Sequence, residues 1–267
     1  MSPIYVPGKV VLRKTWQPMD PDAAAYITAV EAADTAAGQS GGLEEKTKIA
    51  IDNFVLGCKA DGIWAAIKAS CILAGARTLE GALVPLAGTA PTNTGGLFVS
   101  GDYNRKTGLV GNGTTKELKT GVLGASLPTD NFSLGVYISI AGSSNRAQID
   151  AGRGLGGASN IVCGGGTCSF RNRNSSATTV SLEPLGFVGS SRSTSSGYDY
   201  RLNKSTSFSS TASQTPNNTE ITVFNFSVAT FSYSNARLAF YFIGESLNLA
   251  FLDARVTDLI NAIGAAF

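Results

Sequence analysis

GDYNRKTGLVGNGTTKELKT, residues 101–120, divides the chain into two regimes. Before it, apolar residues recur at helical spacing. After it, they come in short runs with a period of two, separated by Gly, Ser, Asn and Thr. The stretch is itself a chain of polar turns. It reads as a nucleotide loop, as a catalytic segment, or as the entry into a β-sandwich, and the choice decides the fold.

Upstream, Asp20-Pro21 marks a helix start, with Asp20 as cap and Pro21 at the first helical position; the helix should run to about Ala36. A second helix is expected over 43–59, where Leu43, Thr47, Ala50, Ile51, Phe54, Val55 and Cys58 share one face. A third is expected from Trp64, Ile67, Lys68, Cys71 and Ile72, ending at Gly75, with Trp64 as a core anchor. EGALVPLAGTAPTNTGG, residues 80–96, is a connector. The opening YVPGKVVLRK, residues 5–14, is too short to build a core. Residues 1–19 therefore read as a docking arm, with Val10 and Leu12 as its apolar contacts.

Downstream, strands are expected near 97–100, 108–110, 116–119, 132–141, 147–151, 160–163, 168–173, 178–182, 186–192, 198–203, 206–209, 220–227 and 237–244. Many short strands with regular turns mean a sandwich or barrel. Ser246 is the candidate cap of a closing helix with an apolar stripe of Leu249, Leu252, Val256, Leu259, Ile260, Ile263 and Phe267. That stripe must pack on the N-terminal helices or on a neighbouring subunit. Leu252, Val256, Leu259 and Ile263 are its candidate interface residues. The fold class is thus mainly β with a helical annex. It divides into arm 1–19, helical region 20–90, β-sandwich 97–245 and C-terminal helix 246–267.

Composition narrows the chemistry. The 267 residues contain no histidine, which removes His triads, His-ligated metal and imidazole acid–base catalysis. A net charge of +2 gives no field that would recruit nucleic acid. There is no membrane-length apolar run and no signal-peptide pattern, so synthesis and folding in a cytosol are expected. Of the four cysteines, Cys58 and Cys71 read as core residues, while Cys163 and Cys168 flank a glycine loop that a disulfide could close. No metal or cofactor is expected. GRGLGG, residues 152–157, matches a dinucleotide pattern, but the following ASNIVCGGGTC is no helix, so the match reads as accidental.

Glycoside hydrolysis needs two facing carboxyls. Asp102, Asp150, Glu183, Asp199, Glu220 and Glu245 stand alone, and no strand carries them at alternate positions. Asp102, Asn104 and Asn112 read as turn formers rather than calcium ligands. Tyr198 and Tyr200, on one strand face opposite Arg201, are candidates to stack on a sugar, with sandwich-core packing as the competing reading. The sequons at Asn131, Asn203 and Asn217 imply nothing without a secretory signal.

FVLGCKADGIWAAIKASCILAGARTLEGALVPLAGTAPTN (54–93), FVSGDYNRKTGLVGNGTTKELKT (98–120) and NARLAFYFIGESLNLAFLDARVTDLINAI (235–263) resemble segments of tailed-phage virion proteins of tail-fibre type, including those of marine and freshwater phages. The resemblance implies a concanavalin A-like, laminin-G-type jelly roll, in which GLVGNGTTKELKT resembles the first turn and edge strand. Glu117 stands where such proteins usually have an aromatic residue. It also implies a non-enzymatic virion surface protein assembled in a bacterial cytoplasm, a homotrimer bound to other virion proteins and facing a host-surface glycan. A capsid decoration protein is the alternative, and a glycan-degrading enzyme the remote one.

Overall fold

The computed structural model describes residues 16–94, 97–228 and 232–267. It also gives the backbone of two paired arm strands, β1 (Tyr5–Val6) and β2 (Lys9–Val10). Of the expected arm contacts, Val10 takes part in that pairing and Leu12 lies outside the described residues.

Helix α1 (Pro21–Ala36) starts as its sequence dictates: the Asp20 side chain accepts from the N–H groups of Asp22 and Ala23, with Pro21 at the first position. Helix α2 (Glu45–Ala60) buries the expected face of Thr47, Ala50, Ile51, Phe54, Val55 and Cys58. The third helix does not form. Residues Trp64–Ala66 make one 3-10 turn, and Ile67–Ile72 are strand β3. Ala69, Cys71 and Leu73 face one core and Ile72 and Ala74 another, so the run is apolar on both faces and imitates a helix. Trp64 is half-buried at the rim, its Nε1 donating to Asp22 Oδ2 at 3.0 Å. The connector holds a single turn, α3 (Leu79–Ala82), tied to α1 because Asp34 accepts from the Arg77 and Thr78 N–H groups and the Thr78 hydroxyl.

The remaining strands are β4 (Thr92–Asn93), β5 (Tyr103–Asn104), β6 (Gly108–Val110), β7 (Leu118–Leu123), β8 (Phe132–Ile140), β9 (Arg146–Ala151), β10 (Ala158–Gly164), β11 (Thr167–Asn174), β12 (Thr178–Val180), β13 (Gly186–Thr194), β14 (Gly197–Leu202), β15 (Ser205–Ser209), β16 (Glu220–Val223) and β17 (Arg237–Gly244). The strand expected at 97–100 is absent; Ser100–Asp102 form a 3-10 turn. The described strands build a seven-stranded sheet, β12-β11-β10-β9-β16-β7-β4, and an eight-stranded sheet, β15-β14-β13-β8-β17-β6-β5 with β3 also on β17. The pairings are antiparallel, and the two sheets make the expected sandwich. The opening stretch is its entry: β6 lies in one sheet and β7 in the other, and Asn112 Oδ1 accepts from the N–H groups of Thr114, Thr115 and Lys116 at the turn between them.

The eight-stranded sheet is shared by two cores. Leu134, Val136, Ile138, Val188, Leu238, Tyr241 and Ile243 face the other sheet, while Phe187, Phe240 and Phe242 face the helices. Hence β17 reads RLAFYFIG with no polar face.

The closing helix α4 (Leu249–Gly264) is capped by Asn248 rather than Ser246, whose N–H and hydroxyl both donate to Asn131 Oδ1. Leu252, Val256, Leu259 and Ile263 are buried in the helical core, within this chain. Arg255 clamps Asp61 just beyond the C-terminal end of α2 with two hydrogen bonds, and Arg201 on β14 donates to Asp253 at 2.7 Å. Of the two alternatives expected for the stripe, the packing is the first, on the helical region of this chain, so these four residues give no support to an oligomer interface. The expected threefold association keeps only the resemblance behind it.

Candidate functional site: a basic depression on the outer sheet

The outer face of the seven-stranded sheet, opposite the helical layer, carries a depression of about 510 Å3. Strand alternation places its wall. On β11, Cys168 and Phe170 point into the sandwich, so Ser169 and Arg171 point out. Arg146 opens β9, and Val162 emerges from β10 where the register with β9 shifts.

The floor comes from the chain after β16. Phe224 adopts φ 70°, in the left-handed region that a bulky residue occupies only under tertiary constraint. Its ring stays in the sandwich core, 5.1 Å from the Phe98 ring, while the backbone turns out across β9. Phe226 then packs on Ala147 and Val162, and the Arg153 guanidinium lies over its ring at 4.2 Å.

Three arginines, at 146, 153 and 171, thus line one hollow, and no acidic residue lines it among the described residues. None of the three has a carboxylate within ion-pair distance among those residues. Arg171 Nε donates to the Ser175 carbonyl at 3.1 Å and Arg146 Nη1 to that of Asn145 at 3.3 Å. Burial holds the Arg171 guanidinium below its ordinary range, and the neighbouring Arg153 charge adds to that; attraction from Asp150 opposes both.

Asp150 is the keystone under the site. It is fully buried, and its carboxylate accepts from Gly152 N, Arg153 N, Ser227 N, Ser227 Oγ and Asn160 Nδ2. It therefore ties the loop carrying Arg153 to the segment carrying Phe226. Burial pushes its carboxyl above the usual range, against the pull of these donors. All its lone-pair directions are committed, which leaves it no free oxygen for acid–base work.

GRGLGG is the loop between antiparallel β9 and β10, with no helix after it. Gly157 serves packing: at φ 67°, a Cβ there would lie 1.9 Å from the Thr215 carbonyl oxygen. The tyrosine candidates lie elsewhere. Tyr198 is 1% exposed, its hydroxyl donating to the Phe170 carbonyl at 2.9 Å and lying 3.0 Å from Thr178 Oγ1. It is a core residue that no sugar can reach. Tyr200 is half-buried with its ring 4.9 Å from that of Phe170.

The isolated acids are mostly tied to main chain or to a cation. Glu183 accepts from Gly166 N and Glu220 from Gly121 N; Asp102 pairs with Lys116 and Glu245 with Lys68. Cys163 and Cys168, directly paired across β10 and β11, are disulfide-bonded. Cys58 and Cys71 are buried thiols whose pKa burial pushes up to about 12, away from thiolate character. The arginines escape sequence reading because they are dispersed along the chain; only the outward alternation of β11 marks Arg171.

No family model matches the chain, and no curated protein matches it in sequence. Among solved structures it is similar to the binding domain of botulinum neurotoxin serotype D, at 9% identity and TM-score 0.48, covering 73% of this chain and 51% of that one. It is also similar to a mutant Trypanosoma rangeli sialidase displaying trans-sialidase activity, at 13% identity and TM-score 0.46, covering 79% and 39%. A third is domain 4 of a GH43 extracellular arabinanase from Geobacillus stearothermophilus in complex with arabinotriose, at 11% identity and TM-score 0.41, covering 64% and 82%. The chain spans about half the length of the neurotoxin domain that it matches.

Proposed function

We propose that the chain is a non-enzymatic attachment protein of a tailed-phage virion, of tail-fibre or receptor-binding type. It would dock by its helical side and present the seven-stranded sheet to a glycan on the host surface. One observation carries this reading. The phage-like stretches at 54–120 and 235–263 supply part of α2, α4, β3, β5, β6 and β17, in the helical layer and the eight-stranded sheet, and reach the seven-stranded sheet only at its β7-β4 edge, whereas the basic depression opens over β9, β10 and β11 of that sheet. A docking side and a presenting side are thereby separated by the thickness of a sandwich. The depression has arginines and no pair of facing carboxyls, a composition suited to holding a ligand rather than hydrolysing one.

The test uses purified virions and purified protein. Gel densitometry should give the copy number of a tail appendage, and free protein should compete with virions for adsorption to host cells. A shell-wide copy number without competition would instead identify a capsid decoration protein.

A further inference from the structure

We infer that the depression recognises an oxyanion on a saccharide, the carboxylate or sulfate group of an acidic sugar; this rests on the glycan-binding reading above. The volume falls within the range of small-ligand sites. Guanidinium groups are planar and fork-shaped, matched to carboxylate and sulfate oxygens in a two-bond geometry. The Arg153 guanidinium lies over the Phe226 ring, 4.2 Å from its centroid, and Arg171 is fixed through its Nε to the Ser175 carbonyl at 3.1 Å. Each is restrained on one side and has nitrogen atoms left for a ligand.

The electrostatics point the same way. Nine ion pairs occur among the described residues, and none uses these arginines. Arg171 and Arg153 instead repel one another in a partly desolvated setting. The nearby Asp150 carboxylate is committed to five other donors. An arriving anion would relieve that repulsion, whereas a neutral sugar would not. Exposed Ala177 adds apolar surface beside the charges, where a sugar ring can rest. The remote Lys46, exposed on α2, supplies a charge-matched control.

The experiment measures binding of the full chain to polygalacturonate, dextran sulfate, unmodified dextran and inorganic polyphosphate. Polygalacturonate or dextran sulfate should bind, and dextran should not. Arg171→Gln should weaken binding at least about tenfold, the scale of one charge-assisted hydrogen bond. Arg153→Gln should do likewise, Arg153→Lys should not restore full affinity, and Lys46→Gln should leave affinity unchanged. Circular dichroism confirms that each variant is folded; because Arg153 is exposed, its variants keep the test open if Arg171→Gln misfolds.

Three results would overturn the inference: equal weakening by Lys46→Gln, polyphosphate binding as tightly as the acidic polysaccharides, or no binding to either acidic polymer. Tight dextran binding would also overturn it while leaving glycan binding intact. Failure of the adsorption competition would remove the attachment reading itself.

Discussion

Replacing Asp150 with alanine should loosen the outer sheet. Five donors lose their acceptor: Gly152 N at 3.0 Å, Arg153 N at 3.2 Å, Ser227 N at 2.8 Å, Ser227 Oγ at 2.6 Å and Asn160 Nδ2 at 3.0 Å. The hydroxyl and amide can turn toward other partners. Gly152 N keeps the Ser227 Oγ acceptor at 2.7 Å, but the Arg153 and Ser227 N–H groups have no second acceptor among the described residues, and an unpaired buried donor costs about 1–3 kcal/mol. Removing a buried ion returns part of that, because the raised carboxyl pKa shows that burial penalises the charge. A net loss of about 2–4 kcal/mol follows, read by urea unfolding, with Tm falling by roughly 5–15 °C. Asp150→Asn, which retains one acceptor oxygen, should lie between.

The pH dependence carries a sign. A carboxyl whose folded pKa exceeds its unfolded value binds more protons folded than unfolded between the two. This group therefore adds stability as pH falls through the folded pKa toward 3.8. The stability difference between wild type and Asp150→Asn should move in favour of wild type over that window. A loss below about 1 kcal/mol for Asp150→Ala, or a difference that moves the other way, would refute the account of Asp150 as the tie beneath the arginines.

Val256→Asp should unfold the protein or destabilise it by more than about 4 kcal/mol, since the new charge would be buried between α4 and the rest of the helical core; a folded, soluble variant by circular dichroism would contradict that packing. Gly157→Ala should cost at least about 2 kcal/mol, from a backbone clash added to the left-handed strain, whereas Gly154→Ala, with open space around it, should cost only about 1 kcal/mol; thermal melts compare the two. Removing the Cys163–Cys168 bond, by reductant or by paired alanines, should lower stability by about 2 kcal/mol, the loop-closure value for so short a ring. An unchanged midpoint in reductant would show that the bond adds nothing in solution.

Much of the fold was legible because local chemistry and tertiary context agree. Asp20-Pro21 starts α1 where its capping chemistry says. The glycine and asparagine turns of 101–120 mark the passage from one sheet to the other. Where the reading failed, a second buried face had erased the expected period. Ile67–Ile72 lie in a strand covered from both sides, so side chains that alternate between two cores fit a helical wheel equally well. Ser246 and Asn248 are both capping residues, and contact with Asn131 draws Ser246 away. The apolar stripe of α4 was legible, and the helical region it covers was one of the two partners expected for it. The arginine site was not legible, because a left-handed Phe224 and a buried Asp150 assemble it from strands and loops distant in sequence.

The sharing of one sheet by two cores also governs when the chain can fold during its synthesis. β17 lies between β8 and β3, and its Tyr241 reaches back 170 positions to touch Cys71. Translation delivers β17 after every other described strand, so neither core is complete while the ribosome is still short of Gly244. A prematurely terminated product would lack the middle rung of the shared sheet and the helix that caps it. It would expose Phe187 on one side and Val136 on the other, making it a target for chaperones and proteases rather than a partly working protein.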